Sequence, residues 1–253
     1  MTACEMRDPV EREHVPFTNI RNLRKKLDDC LTLVDKANSR DQFIVFTKVP
    51  NSNVEMCRDW EVARLSYHHE AKVLIAKIAG FEEHQHFIST FADTIKSQLQ
   101  LFDVELPHRC NHRAVQCGSW TQEADDLWEV GRFTAVIEAG LVEAAGSLEL
   151  SIRKWLAPEN SSVQTVFALD WNRDEPHINI NLWERSSDSP TSTVSLTREE
   201  DTTQISGTLK LRFERFSGRA PTPEEKLKGW IVISQWSLIQ FAESFWRIQG
   251  FVD

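Results

Sequence analysis

Apolar residues recur at every third or fourth position through residues 18–38, where Ile20, Leu23, Leu27, Leu31 and Val34 are separated by charges. That spacing predicts an amphipathic helix with one face to bury, against the body of the domain or against another chain. Ile44, Val45, Phe46 and Val49 form a short apolar run ending at Pro50, read as a strand or connector. From about Trp60 to Leu101 the helical period returns: Val62, Leu65, Val73, Leu74 and Ile78, then Phe87, Phe91, Ile95 and Leu99. Gly80 is the expected break between two helices, and Pro107 closes this half.

Beyond Pro107 the period changes. Residues 113–120, 124–130, 133–140, 163–171 and 177–184 are short runs rich in β-branched and aromatic residues, each read as a strand. One helix interrupts them, with Leu141, Ala144, Ala145, Leu148, Ile152, Trp155 and Leu156 on one face and Pro158 at its end. Residues 185–206, rich in Ser, Thr and Asp, predict a flexible loop. Leu209, Leu211 and Phe213 then alternate with Lys210, Arg212 and Glu214 as a half-buried strand. The tail predicts a strand at Trp230–Ile233 and a helix carrying Leu238, Phe241, Phe245 and Trp246.

Within EADDLWEVGRFTAVIEAG, the segment Val130-Gly131-Arg132-Phe133 has the form of a two-residue hairpin, with Gly first as a type II′ turn prefers. If Val130 faces Phe133, stepping outward on both strands sets Asp125 directly opposite Glu138. Opposed residues in an antiparallel pair have Cβ atoms about 4.5–5.5 Å apart. Two carboxylates that close need a shared proton, a basic neighbour or a cation. A divalent metal between them is how hydrolytic nucleases activate water. A different register would instead leave both acids solvated on one sheet face.

The order Asp, turn, Glu, helix, strand resembles the PD-(D/E)XK (restriction-endonuclease-like) nuclease superfamily, and within it the fungal-type members. Ala124-Asp125-Asp126-Leu127-Trp128 is similar to the family's first motif, and Phe133-Thr134-Ala135-Val136-Ile137-Glu138-Ala139-Gly140 to its second. Glu143 falls at the acid of a following Ser-Glu pair, the helix ends in Trp155-Leu156, and residues 163–166 and 178–184 match the next two strands. The resemblance implies a metal-dependent nuclease cutting DNA or RNA, with Asp125 and Glu138 as catalytic, metal-holding residues for Mg²⁺ or Mn²⁺. The chain departs from the pattern where it matters most. The signature lysine belongs two residues after the Glu, on the same strand face, and position 140 is glycine. Ala124 and Phe133 stand where the family has proline, Val142 where it has serine, and Ser151 where a mid-helix acid is common. Lys154 lies about 16 Å farther along its helix than Glu143 at 1.5 Å per residue, so it is a poor substitute. Lys72 or Lys77, expected on the preceding helix, would reach only through the tertiary fold.

The fold class expected is therefore α/β: a restriction-endonuclease-like central mixed sheet flanked by helices, with an N-terminal helical region. Residues 1–50 read as a helical extension and residues 51–253 as the nuclease-like domain. The alternative function is a catalytically inactive relative serving as a binding or scaffold protein, with residues 18–38 as its contact helix for a protein partner.

Charge and composition adjust this picture modestly. A formal net charge of -9 opposes generic nucleic-acid binding and leaves only local basic groups, Arg109–Arg113 or Lys210, Arg212, Arg215 and Arg219. The first residues lack the apolar core of a secretory signal, and no run approaches a membrane span of ~20 residues. Five scattered cysteines then read as reduced thiols, and the expectation is an intracellular protein, nuclear or cytoplasmic, with no membrane partner. His108-x-Cys110-x-His112 with Cys117 fits no standard zinc spacing. His68-His69 and His84/His86 read as exposed or partly packed helix residues, and Glu70 only weakly as an extra metal-side acid. No phosphate-binding glycine loop and no G-x-S-x-G elbow is present.

Overall fold

The computed structural model describes residues 14–36, 42–57, 60–102, 104, 108–110, 113–129, 133–142, 145–157, 161–225 and 229–253. The N-terminal half comprises β1 (His14–Pro16), α1 (Ile20–Asp35), β2 (Phe43–Thr47), α2 (Asn51–Glu55), β3 (Ala63–His68), β4 (Val73–Ile78) and α3 (Glu82–Gln100). There follow β5 (His108–Cys110), β6 (Ala114–Cys117), β7 (Trp120–Glu123), β8 (Asp126–Glu129), β9 (Phe133–Leu141), α4 (Ala145–Leu156), β10 (Thr165–Trp171) and β11 (His177–Glu184). The chain ends with β12 (Ser192–Glu199), β13 (Thr202–Gly207), β14 (Lys210–Arg212), α5 (Phe213–Ser217), β15 (Trp230–Val232) and α6 (Gln235–Gln249). The class is mixed α/β. One six-stranded sheet runs β1-β2-β4-β3-β7-β6, a seven-stranded sheet runs β13-β12-β11-β10-β9-β8-β5, and β14-β15 form a separate ribbon.

α1 starts where predicted. The Asn19 side chain caps it by accepting from the Asn22 N–H, and Leu23, Leu27 and Val34 are buried. That face enters the same core as Phe46 of β2 and Leu74 of β4. The face of α1 that carries Leu23, Leu27 and Val34 is thus used inside this chain.

Residues 63–78, expected to be helical, form the β3–β4 hairpin instead, and helix begins only at Glu82. Ala63, Leu65 and Tyr67 alternate along β3, while Arg64 on the other face is buried too. A strand covered on both faces carries apolar residues at spacings that a helical template also accepts. The turn offers no Gly or Pro as a marker, because its left-handed residue is Lys72, at φ 54°. Residues 185–206 were expected to be a loop, yet they contain β12 and the edge strand β13. Val194 and Leu196 are buried between Ser and Thr residues that face solvent. The hairpin closes at Glu200, φ 54°, again without glycine.

The seven-stranded sheet is mixed because β9 and β10 are parallel while β8 and β11 run antiparallel to them. Parallel neighbours need a crossover, and α4 supplies it. Side chains of β9 alternate accordingly: Ala135, Ile137, Ala139 and Leu141 join the core under α3 and α6, and Val136 joins the core under α4. On the α3/α6 side Phe87 packs on Trp171 and Phe245 at ring separations of 4.6 and 4.5 Å. Among the described residues, no helix is long and apolar enough to cross a membrane.

Leu27→Ala is expected to cost about 2–5 kcal/mol, the range for a buried leucine leaving a cavity. Urea unfolding with an unchanged m-value would show it; a shift below about 0.5 kcal/mol would mean that α1 does not dock.

Candidate functional site

β7 of the six-stranded sheet passes into β8 of the seven-stranded sheet through Ala124 and Asp125 alone. Asp125 therefore stands where the chain changes sheets, with β3 and β4 on one side and β9 on the other. The expected register holds over three pairs, Asp126 with Ile137, Leu127 with Val136 and Trp128 with Ala135. A bulge after Trp128 then sets Glu129, rather than Val130, against Phe133. The predicted Gly131-Arg132 turn itself lies outside the described residues, as does Glu143.

Asp125 and Glu138 are brought together, and a cation already sits between them. Lys77 Nζ donates to Asp125 Oδ2 at 2.5 Å and to Glu138 Oε2 at 2.7 Å, and lies 3.4 Å from the Ala139 carbonyl oxygen. The two carboxylates are no farther apart than one ammonium can span. Lys77 comes from strand β4, not from a helix, which is why helical periodicity could not place it. Gly140 is compatible with this arrangement because the positive charge arrives from the other sheet.

The rest of the cluster completes the carboxylates' bonding. His84 Nε2 lies 3.1 Å from Asp125 Oδ1, and the Ala139 N–H donates to Asp125 Oδ2 at 2.7 Å. On Glu138, Oε1 accepts from the Trp155 indole N–H at 2.6 Å and from the Ser151 hydroxyl at 3.2 Å. Arg64, the cross-strand neighbour of Lys77, has its Nε 3.9 Å from Asp125 Oδ1. Two like charges opposed across a ladder are unfavourable alone; here they face two opposed acids. Lys77, Arg64, Asp125 and Glu138 are each at most 5% exposed.

The electrostatics follow from burial and contact. Burial pushes the Asp125 carboxyl up, but Lys77, His84 and Arg64 outweigh it and hold that group below the ordinary carboxylate range. Burial raises Glu138, with the Asp125 charge adding to it against the pull of Lys77. Burial would lower Lys77, yet the two carboxylates keep its ammonium above its usual value. Burial lowers His84 despite the pull of Asp125, and its Nε2–H donates to the Asp125 carboxylate, which can only accept.

Several residues stand differently from expectation. His84 is fully buried against Asp125, not a surface helix residue. α4 does not lead away from the site: Ser151 and Trp155 in its C-terminal half touch Glu138, because a crossover helix returns antiparallel to the strand before it. Lys154 accordingly borders the same cavity as Lys77 and Glu138. Arg64 gave no motif signal, and only the β3–β4 pairing reveals it. Glu70 is exposed in the β3–β4 turn. Of the basic groups, Arg109 pairs with Asp126, Arg113 with Glu129, Arg215 with Glu184 and Arg219 with Glu225. No family model and no curated protein matches this sequence.

Removing the ammonium, as in Lys77→Met, leaves two buried carboxylates with only the more distant Arg64 guanidinium as counter-charge and is expected to cost about 3–5 kcal/mol. Adding Glu138→Gln should recover part of that loss in a double-mutant cycle. Strict additivity of the two changes would show that the pair is not coupled. A second expectation concerns Asp126, whose carboxyl burial raises to about 6 against the pull of Arg109. The folded chain then binds more protons than the unfolded chain between about pH 4 and that value, so this group withdraws stability as pH rises through the window. The urea-derived stability of wild type relative to Asp126→Asn should fall by roughly 1–3 kcal/mol from pH 4 to 7. A flat or rising difference would contradict the assignment.

Proposed function

We propose that the protein is a metal-dependent phosphodiesterase acting on nucleic acid, of the PD-(D/E)XK type, in which Lys77 replaces the lysine absent at Gly140. The observation carrying this reading is the contact of one lysine ammonium with both Asp125 and Glu138. An acid pair plus a lysine is the minimum set for the chemistry: hard oxygens for a cation, and an ammonium to orient water and offset charge on a phosphoryl oxygen.

The donors suit a hard divalent cation. Asp125 Oδ2, Glu138 Oε2 and the Ala139 carbonyl oxygen already converge on one positive centre, and all are oxygens of the kind Mg²⁺ accepts. Asp125 and Glu138 would hold Mg²⁺ or Mn²⁺, with Lys77 moved aside; the ion supplies Lewis acidity and lowers the pKa of a bound water. His84, Ser151 and Trp155 fix the rotamers of the two carboxylates, as outer-shell partners of metal ligands do. Lys77, anchored on β4 beside both carboxylates, would be the residue to orient that water.

One observation favours a second reading, an inactive relative with a binding or scaffold role. All four oxygens of Asp125 and Glu138 have protein partners, and both residues are at most 3% exposed. The cluster as it stands is closed, and a buried ion network of this kind can serve specificity of packing alone.

Incubation with single- and double-stranded DNA and RNA in Mg²⁺ or Mn²⁺ separates the two. Activity is expected in one of these mixtures and should fall at least about a hundredfold in Asp125→Asn, Glu138→Gln and Lys77→Ala, each confirmed folded by circular dichroism. Cleavage that survives all three substitutions rejects the proposal. No cleavage in either metal establishes the inactive reading instead.

A further inference from the structure

Arg64 is held in the cluster with its bonding incomplete. Its side chain is 3% exposed, yet neither Nε nor Nη2 has a hydrogen-bond partner. The Asp125 carboxylate is 3.9 Å from Nε, an ion pair without a hydrogen bond, and Glu123 directs Oε2 to the Leu65 N–H. Buried donors on a charged group are costly to leave unmade, so these call for an acceptor.

A cavity of about 20 Å³ lies beside this guanidinium. Besides Arg64 it is bordered by Lys77 and Lys154, by the hydroxyl residues Ser66, Ser147 and Ser151, and by Glu123 and Glu138. Its volume suits a single water-sized group. Ser66, Ser151 and Lys154 are only half buried, which sets the cavity at the surface rather than deep in the core. Lys77 and Ser151 already donate to the carboxylates, so the lining that bears on an anionic oxygen is Arg64 together with Lys154, Ser66 and Ser147.

We propose that this cavity is an oxyanion subsite, receiving one non-bridging oxygen of a phosphoryl group whose remaining atoms stay at the mouth. Arg64 is the fixed donor, because its guanidinium is already immobilised and desolvated and no rotamer entropy is lost on binding. Lys154 is the second cation, at the rim, where its ammonium lies 3.7 Å from the Trp120 ring centre. Identification of the ligand as a phosphodiester rests on the function proposed above, whereas binding of the anion requires neither metal nor turnover.

The probe is inorganic phosphate, titrated into the full-length protein without metal at constant ionic strength, with chloride as the control. ³¹P line broadening and calorimetry should show saturable binding, weakened about tenfold or more in Arg64→Met and partly restored in Arg64→Lys. Lys154→Ala should weaken it a few-fold. A cavity that merely hydrates Arg64 would give no saturable phosphate signal, and that result overturns the subsite. Equal affinity in a folded Arg64→Met does the same. Should Arg64→Met fail to fold, unchanged affinity in Lys154→Ala is decisive against it. Phosphate binding without nucleic-acid cleavage would leave the subsite standing and remove the phosphodiesterase.

Discussion

The ammonium of Lys77 between Asp125 and Glu138 is the contact on which the arrangement of the two large sheets turns. Asp125 lies at the two-residue passage from β7 to β8, and Lys77 and Glu138 lie on strands of different sheets. Taking such charges out of water is expensive, and the attraction repays it only with good geometry and satisfied lone pairs. The surrounding elements supply that satisfaction: β9 through the Ala139 N–H, α3 through His84 and α4 through Trp155 and Ser151. Gln42 adds a neutral tie nearby, donating to the Ile78 carbonyl and accepting from the Leu141 N–H.

This geometry links packing to chemistry. Lys77 and Glu138 sit on strands and Asp125 in the two-residue passage between strands, each in contact with a residue of a helix or of a neighbouring strand that is itself buried, so their rotamers are set by the core. The same enclosure makes the cluster double-edged. It holds an acid pair and a cation in fixed geometry, and it also encloses them, both carboxylates being at most 3% exposed. The opposing shifts at Asp125 and Glu138 express that tension, since one acid takes most of the cationic field and the other retains more of the burial penalty.

Legibility varied by element for identifiable reasons. α1 and α6 declared themselves through apolar spacing, and the structure adds their caps, Asn19 and Ser234 each accepting an N–H in the first turn. The pairing of β8 with β9 followed from alternation around a two-residue turn, and three observed pairs keep it. The β3–β4 and β12–β13 hairpins were hidden because Lys72 and Glu200 adopt the left-handed conformation usually marked by glycine. Within the site, Asp125 and Glu138 were visible as a local pattern. His84 and Trp155 looked like ordinary helix and core residues, since nothing local distinguishes a buried ring with a polar partner from one without.

The sequence by itself offered a register in which two acids face each other across an antiparallel pair, because side-chain period and turn length are local properties of the backbone. It also determined that Gly140 brings no lysine to that strand. Which cation would answer those acids was decided only by the tertiary structure, when the chain crossed from one sheet to the other at Asp125. That crossing sets Lys77 and Arg64, 48 and 61 positions earlier in the chain, against carboxylates they approach through space alone. Contacts between distant segments have no period to read, and the positive charge missing from one strand was supplied by another.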